Sequence, residues 1–210
     1  MERGPGGEAT SKNHPNVDQY VASRVRALES LLLEKGILPP DLVDRVVRQY
    51  AEDTGPLVGA RAVARAWANP EYKRLLLEQP KAALAEFGLD YGDLRVVENT
   101  PAVHNMVVCT LCSCYPWAVM GLPPTWYKQP AYRSRAVIEP RAVLREFGVE
   151  LPPEREVRVW DSSAELRYMV LPLRPAGSER LSEAQLVPLV SRDSLIGVAE
   201  IAMPAAVPAG

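Results

Sequence analysis

Residues 72–90 read YKRLLLEQPKAALAEFGLD, and residues 132–150 read YRSRAVIEPRAVLREFGVE; the two lie against each other without a gap at an offset of 60 positions. Tyr72, Pro80, Ala82, Leu84, Glu86, Phe87 and Gly88 meet Tyr132, Pro140, Ala142, Leu144, Glu146, Phe147 and Gly148. The match resumes at an offset of 63, where LRVVENTPAVHNMVVC from Leu94 faces VRVWDSSAELRYMVLP from Val157. Each copy reads as a helix, a strand, a turn and a strand. The helix opens with a proline in its first turn and stops at Gly88 or Gly148. The β-branched RVV and MVV runs flank an Asn/Thr turn in the first copy, and their counterparts flank an Asp/Ser turn in the second, as in a hairpin. The repeat therefore predicts an α+β fold, a layered α/β domain of two similar helix-strand units with predominantly antiparallel sheets.

Working outward, residues 1–16 lack apolar periodicity and are predicted to be a flexible tail. Val17, Tyr20, Val21, Val25, Leu28, Leu31 and Leu32 then follow helical spacing, with Gly36 as a stop. A second helix starts at Pro39-Pro40 and shows Leu42, Val43, Val46, Val47 and Tyr50, and a third runs from Ala60 to Trp67 before Asn69-Pro70. These helices either form a layer of the same domain or make an arm whose apolar stripe rests on another subunit. The resulting division is a tail at 1–16, an N-terminal helical arm at 17–70, a metal-binding catalytic domain at 71–200 and a C-terminal tail at 201–210. Near the end, Ser182 with Gln185 forms a capping box for a short helix interrupted by Pro188.

Where the copies diverge, the chain holds all of its three cysteines. After MVV the first copy continues Cys109-Thr110-Leu111-Cys112-Ser113-Cys114, whereas the second continues Pro172-Leu173-Arg174-Pro175. A copy-specific loop at the end of a strand is where a scaffold carries chemistry. If a metal binds the sulfurs of Cys112 and Cys114, the backbone nitrogens of Ser113 and Cys114 are forced close to it. The Cys114 sulfur and its own amide close a five-membered chelate ring, and the Cys112 sulfur with the Ser113 amide closes a six-membered one. With Cys109, one loop offers three sulfurs and two nitrogens and leaves a sixth octahedral position for water or substrate. Binding through amide nitrogen demands a strong Lewis acid, such as a trivalent low-spin ion, rather than ordinary zinc. Structural zinc would need a fourth ligand, for which His104 is the nearby candidate. Iron-sulfur clusters usually need four thiolates, and a nucleophilic cysteine with His104 as base would face competing thiols. His104 aligns with Arg167 and reads as a structural position in a shared strand.

A net charge of -2 and a sequence pI near 5.8 give no reason to expect nucleic acid or an anionic membrane as partner. No apolar run reaches membrane-spanning length and the N-terminus lacks a signal-peptide core, so a cytoplasmic location is expected.

The stretches VCTLCSCYPW, ENTPAVHN, GLPPTWYK, YRSR, EPRAVLREFG, WDSSAELRYMVLPLRPAG and RDSLIGV closely resemble the α subunit of nitrile hydratase, over about Val17 to Val198. The resemblance implies that family's fold and a non-corrin Co(III), with iron(III) as the alternative. The ion would be held by the thiolates of Cys109, Cys112 and Cys114 and the amide nitrogens of Ser113 and Cys114. It implies oxidation of Cys112 to sulfinic acid and Cys114 to sulfenic acid, and Thr110 matches the cobalt pattern. The implied reaction is hydration of a nitrile to an amide. Cys114 and Cys112 are its catalytic residues, and Trp117 lines the substrate pocket. The implied partners are a β subunit, in a heterotetramer built as a dimer of heterodimers, and an activator or metallochaperone. Oxidised sulfurs need positive donors. The family draws these from β-subunit arginines, with Arg133, Arg135 and Arg167 as local candidates and Glu165 and Asp161 as candidate carboxylates around the site. The metal-bearing subunit of thiocyanate hydrolase is similar too. A non-catalytic zinc-holding or redox-sensing subunit is the alternative from another class.

Overall fold

The computed structural model describes residues 15–48 and 55–203. The chain divides into two compact units, one ending at Val47 and the other running from Arg48 onward. The expected flexible tail at 1–16 lies outside the described residues up to position 14, as do Tyr50 and the C-terminal tail from 204.

The first unit holds α1 (Pro15–Glu34) and all but the last residue of α2 (Leu42–Arg48). Gly36 ends α1 as the spacing predicts. Its φ of 66° is one that other residues adopt at a cost, and the Gly36 and Ile37 amides donate back to Leu33 and Leu32. Along α1, Tyr20, Val21, Val25, Leu28 and Leu31 are half or more exposed.

In the second unit, α3 (Gly55–Ala68), whose residues the arm expectation included, contributes Val58, Ala60, Ala62, Val63 and Ala66 to the main core. Its small residues allow close approach: a side chain at Gly59 would meet Leu195 and the Val119 carbonyl at 2.9 Å. The two sequence copies then appear as matched structures. In place of the single predicted helix, each copy has two, α4 (Pro70–Glu78) and α5 (Pro80–Ala85) in the first, α7 (Pro130–Ile138) and α8 (Pro140–Glu146) in the second. Pro80 and Pro140 lack the N–H that would continue the preceding helix, so each starts a new one. Both copies stop as predicted, at Gly88 and Gly148, with the next residue's amide donating to Leu84 or Leu144. Between them lies the short α6 (Trp117–Met120).

The strands are β1 (Leu94–Glu98), β2 (Val103–Val108), β3 (Glu156–Asp161) and β4 (Arg167–Leu171). They correct the expectation of predominantly antiparallel sheets: β1 pairs parallel with β4, and β2 pairs parallel with β3. Each copy thus exchanges partners with the other instead of folding into its own hairpin. The reason lies in the corners between strands. Asn99 Oδ1 accepts the Asn105 amide at 2.7 Å, Asn105 Nδ2 donates to the Glu98 carbonyl at 2.7 Å, and the Thr100 amide donates to Val103. The second copy repeats the arrangement: Ser162 Oγ accepts the Tyr168 amide and the Ser163 amide donates to Leu166. With these groups satisfied inside the corner, the Asn99 and Ser162 amides turn outward to Leu171 and Val108 of the opposite copy. Parallel pairing aligns strand ends, so Val108 lies beside Asp161 and the loop after β2 opens next to the end of β3.

The chain closes with α9 (Glu183–Leu186), carrying the predicted Ser182/Gln185 capping box, a 3-10 turn at Val187–Leu189, and α10 (Arg192–Ile196).

Candidate metal centre

Cys109 is buried at the end of β2, Cys114 is half-buried and Cys112 is exposed. Their sulfurs converge: Cys112 Sγ lies 3.4 Å from Cys109 Sγ and 3.0 Å from Cys114 Sγ, and all three fall within 4.8 Å. Taking a metal-thiolate bond as about 2.3 Å, sulfurs at neighbouring octahedral positions would be about 3.3 Å apart and tetrahedral ones about 3.8 Å. Both separations from Cys112 are nearer the octahedral than the tetrahedral spacing. The residues present therefore suit the trivalent ion inferred from the chelate rings, and Cys109, Cys112 and Cys114 with the Ser113 and Cys114 amides are the groups that would hold it. Cys112 Sγ lies within hydrogen-bonding distance of both other sulfurs. Hydrogen bonding from Cys114, then from Cys109, draws the Cys112 thiol down to about 7, while Cys114, mainly because of its bond with Cys112, is pushed up to about 12.

The loop is gripped from three elements. Asp161, at the end of β3, accepts the Thr110 amide at 2.9 Å and the Thr110 hydroxyl at 2.5 Å. Arg133 of α7 donates through Nε to the Cys109 carbonyl at 3.1 Å, and through Nη2 to the carbonyls of Thr110 at 2.8 Å and Leu111 at 3.0 Å. Tyr127, buried in a 3-10 turn, donates its hydroxyl to the Cys114 carbonyl at 3.1 Å. Burial holds the Tyr127 hydroxyl well above its ordinary pKa, so it remains a neutral donor. Outward, the site opens to the surface: Leu111 is 89% and Trp117 47% exposed.

The other expected residues lie elsewhere. Arg135 pairs with Glu139 and Glu146, Arg167 lies 3.7 Å from Asp93, and Glu165 accepts from Ser163. His104 is buried, with Nε2 2.8 Å from the Gly197 carbonyl, and burial depresses its pKa. Among the described residues the convergent metal-ligand cluster is the cysteine triad alone, so His104 supplies no fourth ligand for zinc. Tyr127 carries no metal-site signature in the sequence. Its only signal is its place in the aromatic GLPPTWYK segment, where it packs against Tyr115, Trp126 and Tyr132.

The chain is similar to known proteins over most of its length. The chain is 54% identical over 187 residues to the low-molecular weight cobalt-containing nitrile hydratase subunit alpha of Rhodococcus rhodochrous, covering 88% of this chain and 90% of that one. It is 44% identical to thiocyanate hydrolase subunit gamma of Thiobacillus thioparus, over 82% of this chain and 76% of the relative. Among solved structures, a double mutant of the Fe-type nitrile hydratase from Comamonas testosteroni Ni1 matches with a TM-score of 0.80 at 42% identity, over 91% of this chain and 96% of that one. The family model for nitrile hydratase, alpha chain, matches residues 19–199, and the chain belongs to that family.

Proposed function

We propose that this chain is the catalytic α subunit of a cobalt nitrile hydratase, adding water across a nitrile to give the amide. The observation that carries the reading is the convergence of three sulfurs from Cys109-Thr110-Leu111-Cys112-Ser113-Cys114 in a chain 54% identical to a cobalt-containing subunit. Bound by these residues, Co(III) supplies the Lewis acidity that makes a nitrile carbon open to attack by water. Cys109 anchors the site from its buried position. Cys112 and Cys114, as sulfinate and sulfenate, would be acceptors on the open side, and the oxygen on Cys114 would serve as base or nucleophile in the addition. Trp117, half-exposed beside the loop, forms an apolar wall for the substrate. Thr110, associated with cobalt in this family, presents its hydroxyl to Asp161.

Much of the substrate chamber is missing from this chain, since Leu111, Cys112 and Trp117 face outward. A β subunit closes it and covers the apolar stripe of α1, in a heterotetramer matured by an activator or metallochaperone. In this division of labour the arm, expected at 17–70, is the first unit up to Val47, and the catalytic domain, expected at 71–200, takes in α3 as well. No helix among the described residues is long and apolar enough to cross a membrane.

The test is to purify the chain with its co-expressed partner, measure metal content, and assay an aliphatic nitrile against thiocyanate. About one cobalt per chain and amide formation are expected. Turnover of thiocyanate alone would assign the thiocyanate hydrolase reaction instead, and zinc alone would overturn the cobalt centre.

A further inference from the structure

We infer that Arg133 is the positioning residue that shapes the cysteine loop for metal capture, resting on the metal-centre reading above. One guanidinium serves the carbonyls of three consecutive residues, Cys109, Thr110 and Leu111. Carbonyl dipoles turned toward one point repel each other, so this bend needs a cation at its focus. Arginine's planar fork supplies the divergent donors that a lysine ammonium cannot match.

Two of the peptide groups so held bear directly on the site. The peptide joining Cys109 to Thr110 lies between Arg133, which donates to its oxygen, and Asp161, which accepts from its nitrogen. An ion pair is thereby relayed through a backbone peptide and fixes its plane. The peptide joining Leu111 to Cys112 accepts from Arg133 at its oxygen and donates from its nitrogen to Cys109 Sγ at 3.4 Å. With its oxygen held by Arg133, that peptide keeps its N–H aimed at Cys109 Sγ and so fixes where the sulfur sits. The carbonyls are gathered on Arg133 while the sulfurs are left to converge.

The place related to this one by the repeat, where the first copy's helix meets the loop after β4, provides an internal comparison. Lys73 has the position in α4 that Arg133 has in α7, and Glu98 ends β1 as Asp161 ends β3. There the lysine pairs with the Glu98 side chain rather than gathering carbonyls, beside a cavity of about 360 Å³ lined in part by Pro172 and Arg174. The scaffold is shared; an arginine from the second copy, the cysteines that follow the first, and the carbonyl focus occur together at only one of the two related places.

Arg133→Lys and Arg133→Gln should therefore be co-expressed with the partner in cobalt-supplemented medium, with cobalt per chain, heteromer yield, Tm of the cobalt-free protein and activity per bound cobalt measured. Partners that orient metal ligands typically carry about 10- to 100-fold in affinity or activity. At limiting cobalt, Arg133→Gln is expected to lose about tenfold in occupancy, and Arg133→Lys about threefold, because it keeps the charge but not the fork. Heteromer yield and Tm should hold, and activity should fall in proportion to cobalt. Full occupancy in both variants would overturn the inference. So would normal occupancy with lost turnover, which would place Arg133 in the chemistry, or failure of both variants to give soluble heteromer, which would make its role one of folding. A parent chain without cobalt would overturn the metal-centre reading itself, and the inference with it.

Discussion

Ser113 stands between two thiols whose sulfurs are 3.0 Å apart, and the chelate argument uses its backbone nitrogen alone. Ser113→Ala is therefore expected to retain cobalt within about twofold of the parent, since outer contacts rather than this hydroxyl carry the affinity; loss of the metal on elemental analysis would assign the hydroxyl a ligand role. The claw residues were legible because they are contiguous and their spacing fixes the chelate rings. Asp161 was legible only as a nearby carboxylate, Arg133 only as a local cation for oxidised sulfurs, and Tyr127 not at all, because their contacts depend on strand pairing and packing across the fold. His104 illustrates the opposite case, a reactive-looking side chain whose structural reading holds. Burial keeps its folded pKa below the unfolded value of about 6.5, and Arg155 and Arg141 oppose its protonation while Glu200 favours it. Below about pH 6.5 the unfolded chain takes up a proton that the folded chain refuses, so stability falls with pH until the depressed folded value is passed. Melting curves at pH 7.5 and 5.5 should show a steeper loss for the parent than for His104→Gln, which carries no titrating ring; equal slopes would show that His104 contributes nothing to acid sensitivity.

At the scale of elements, β2 must be held in place to deliver Cys109, and α10 helps through Gly197. This glycine has φ 88°, and its carbonyl accepts from His104, while a β-carbon there would collide with the Asn105 carbonyl in β2. Gly197→Ala combines left-handed strain of about 1–2 kcal/mol with displacement of a core strand, for an expected total of about 3 kcal/mol or more. In a domain of this size that lowers Tm by roughly 6–12 °C, with cobalt occupancy falling alongside; a change of under about 2 °C would mean that the strand shifts freely. The glycine stops, the Ser182 cap and the positions of the strands were readable because each rests on a few neighbouring residues. The division at Pro80 and Pro140 was readable in principle, since a proline that starts one helix ends another, yet the apolar spacing ran through it. Which strands pair was not readable. The alignment of the copies shows likeness, whereas partner exchange is decided by corner contacts such as Asn99 to Asn105 and their match in Ser162 to Tyr168.

For the whole molecule, the exchanged strands join the two copies into one scaffold, with Val97, Val107 and Val170 packed beneath Trp160 and Tyr168. That scaffold is complete where it carries the cysteines and open where it would meet substrate. The first unit is open in a different way. Val25 and Leu28 are 59% and 58% exposed on the helical stripe the sequence shows, while Arg26 lies across the helix from Leu28. Covering an apolar side chain of this size contributes about 1.5–3 kcal/mol. If the β subunit covers this stripe, Val25→Asp with Leu28→Asp removes about 3–6 kcal/mol of association, or roughly 10²- to 10⁴-fold in Kd. Size-exclusion chromatography of the co-expressed subunits should then show the doubly substituted chain separated from its partner, with Arg26→Ala still assembled as the parent is. The second unit keeps its own core, so the separated chain should retain cooperative melting. Recovery of undiminished heteromer from the doubly substituted chain would show that the stripe is not part of the interface, and would leave the surface around Leu111 and Trp117 to carry the association.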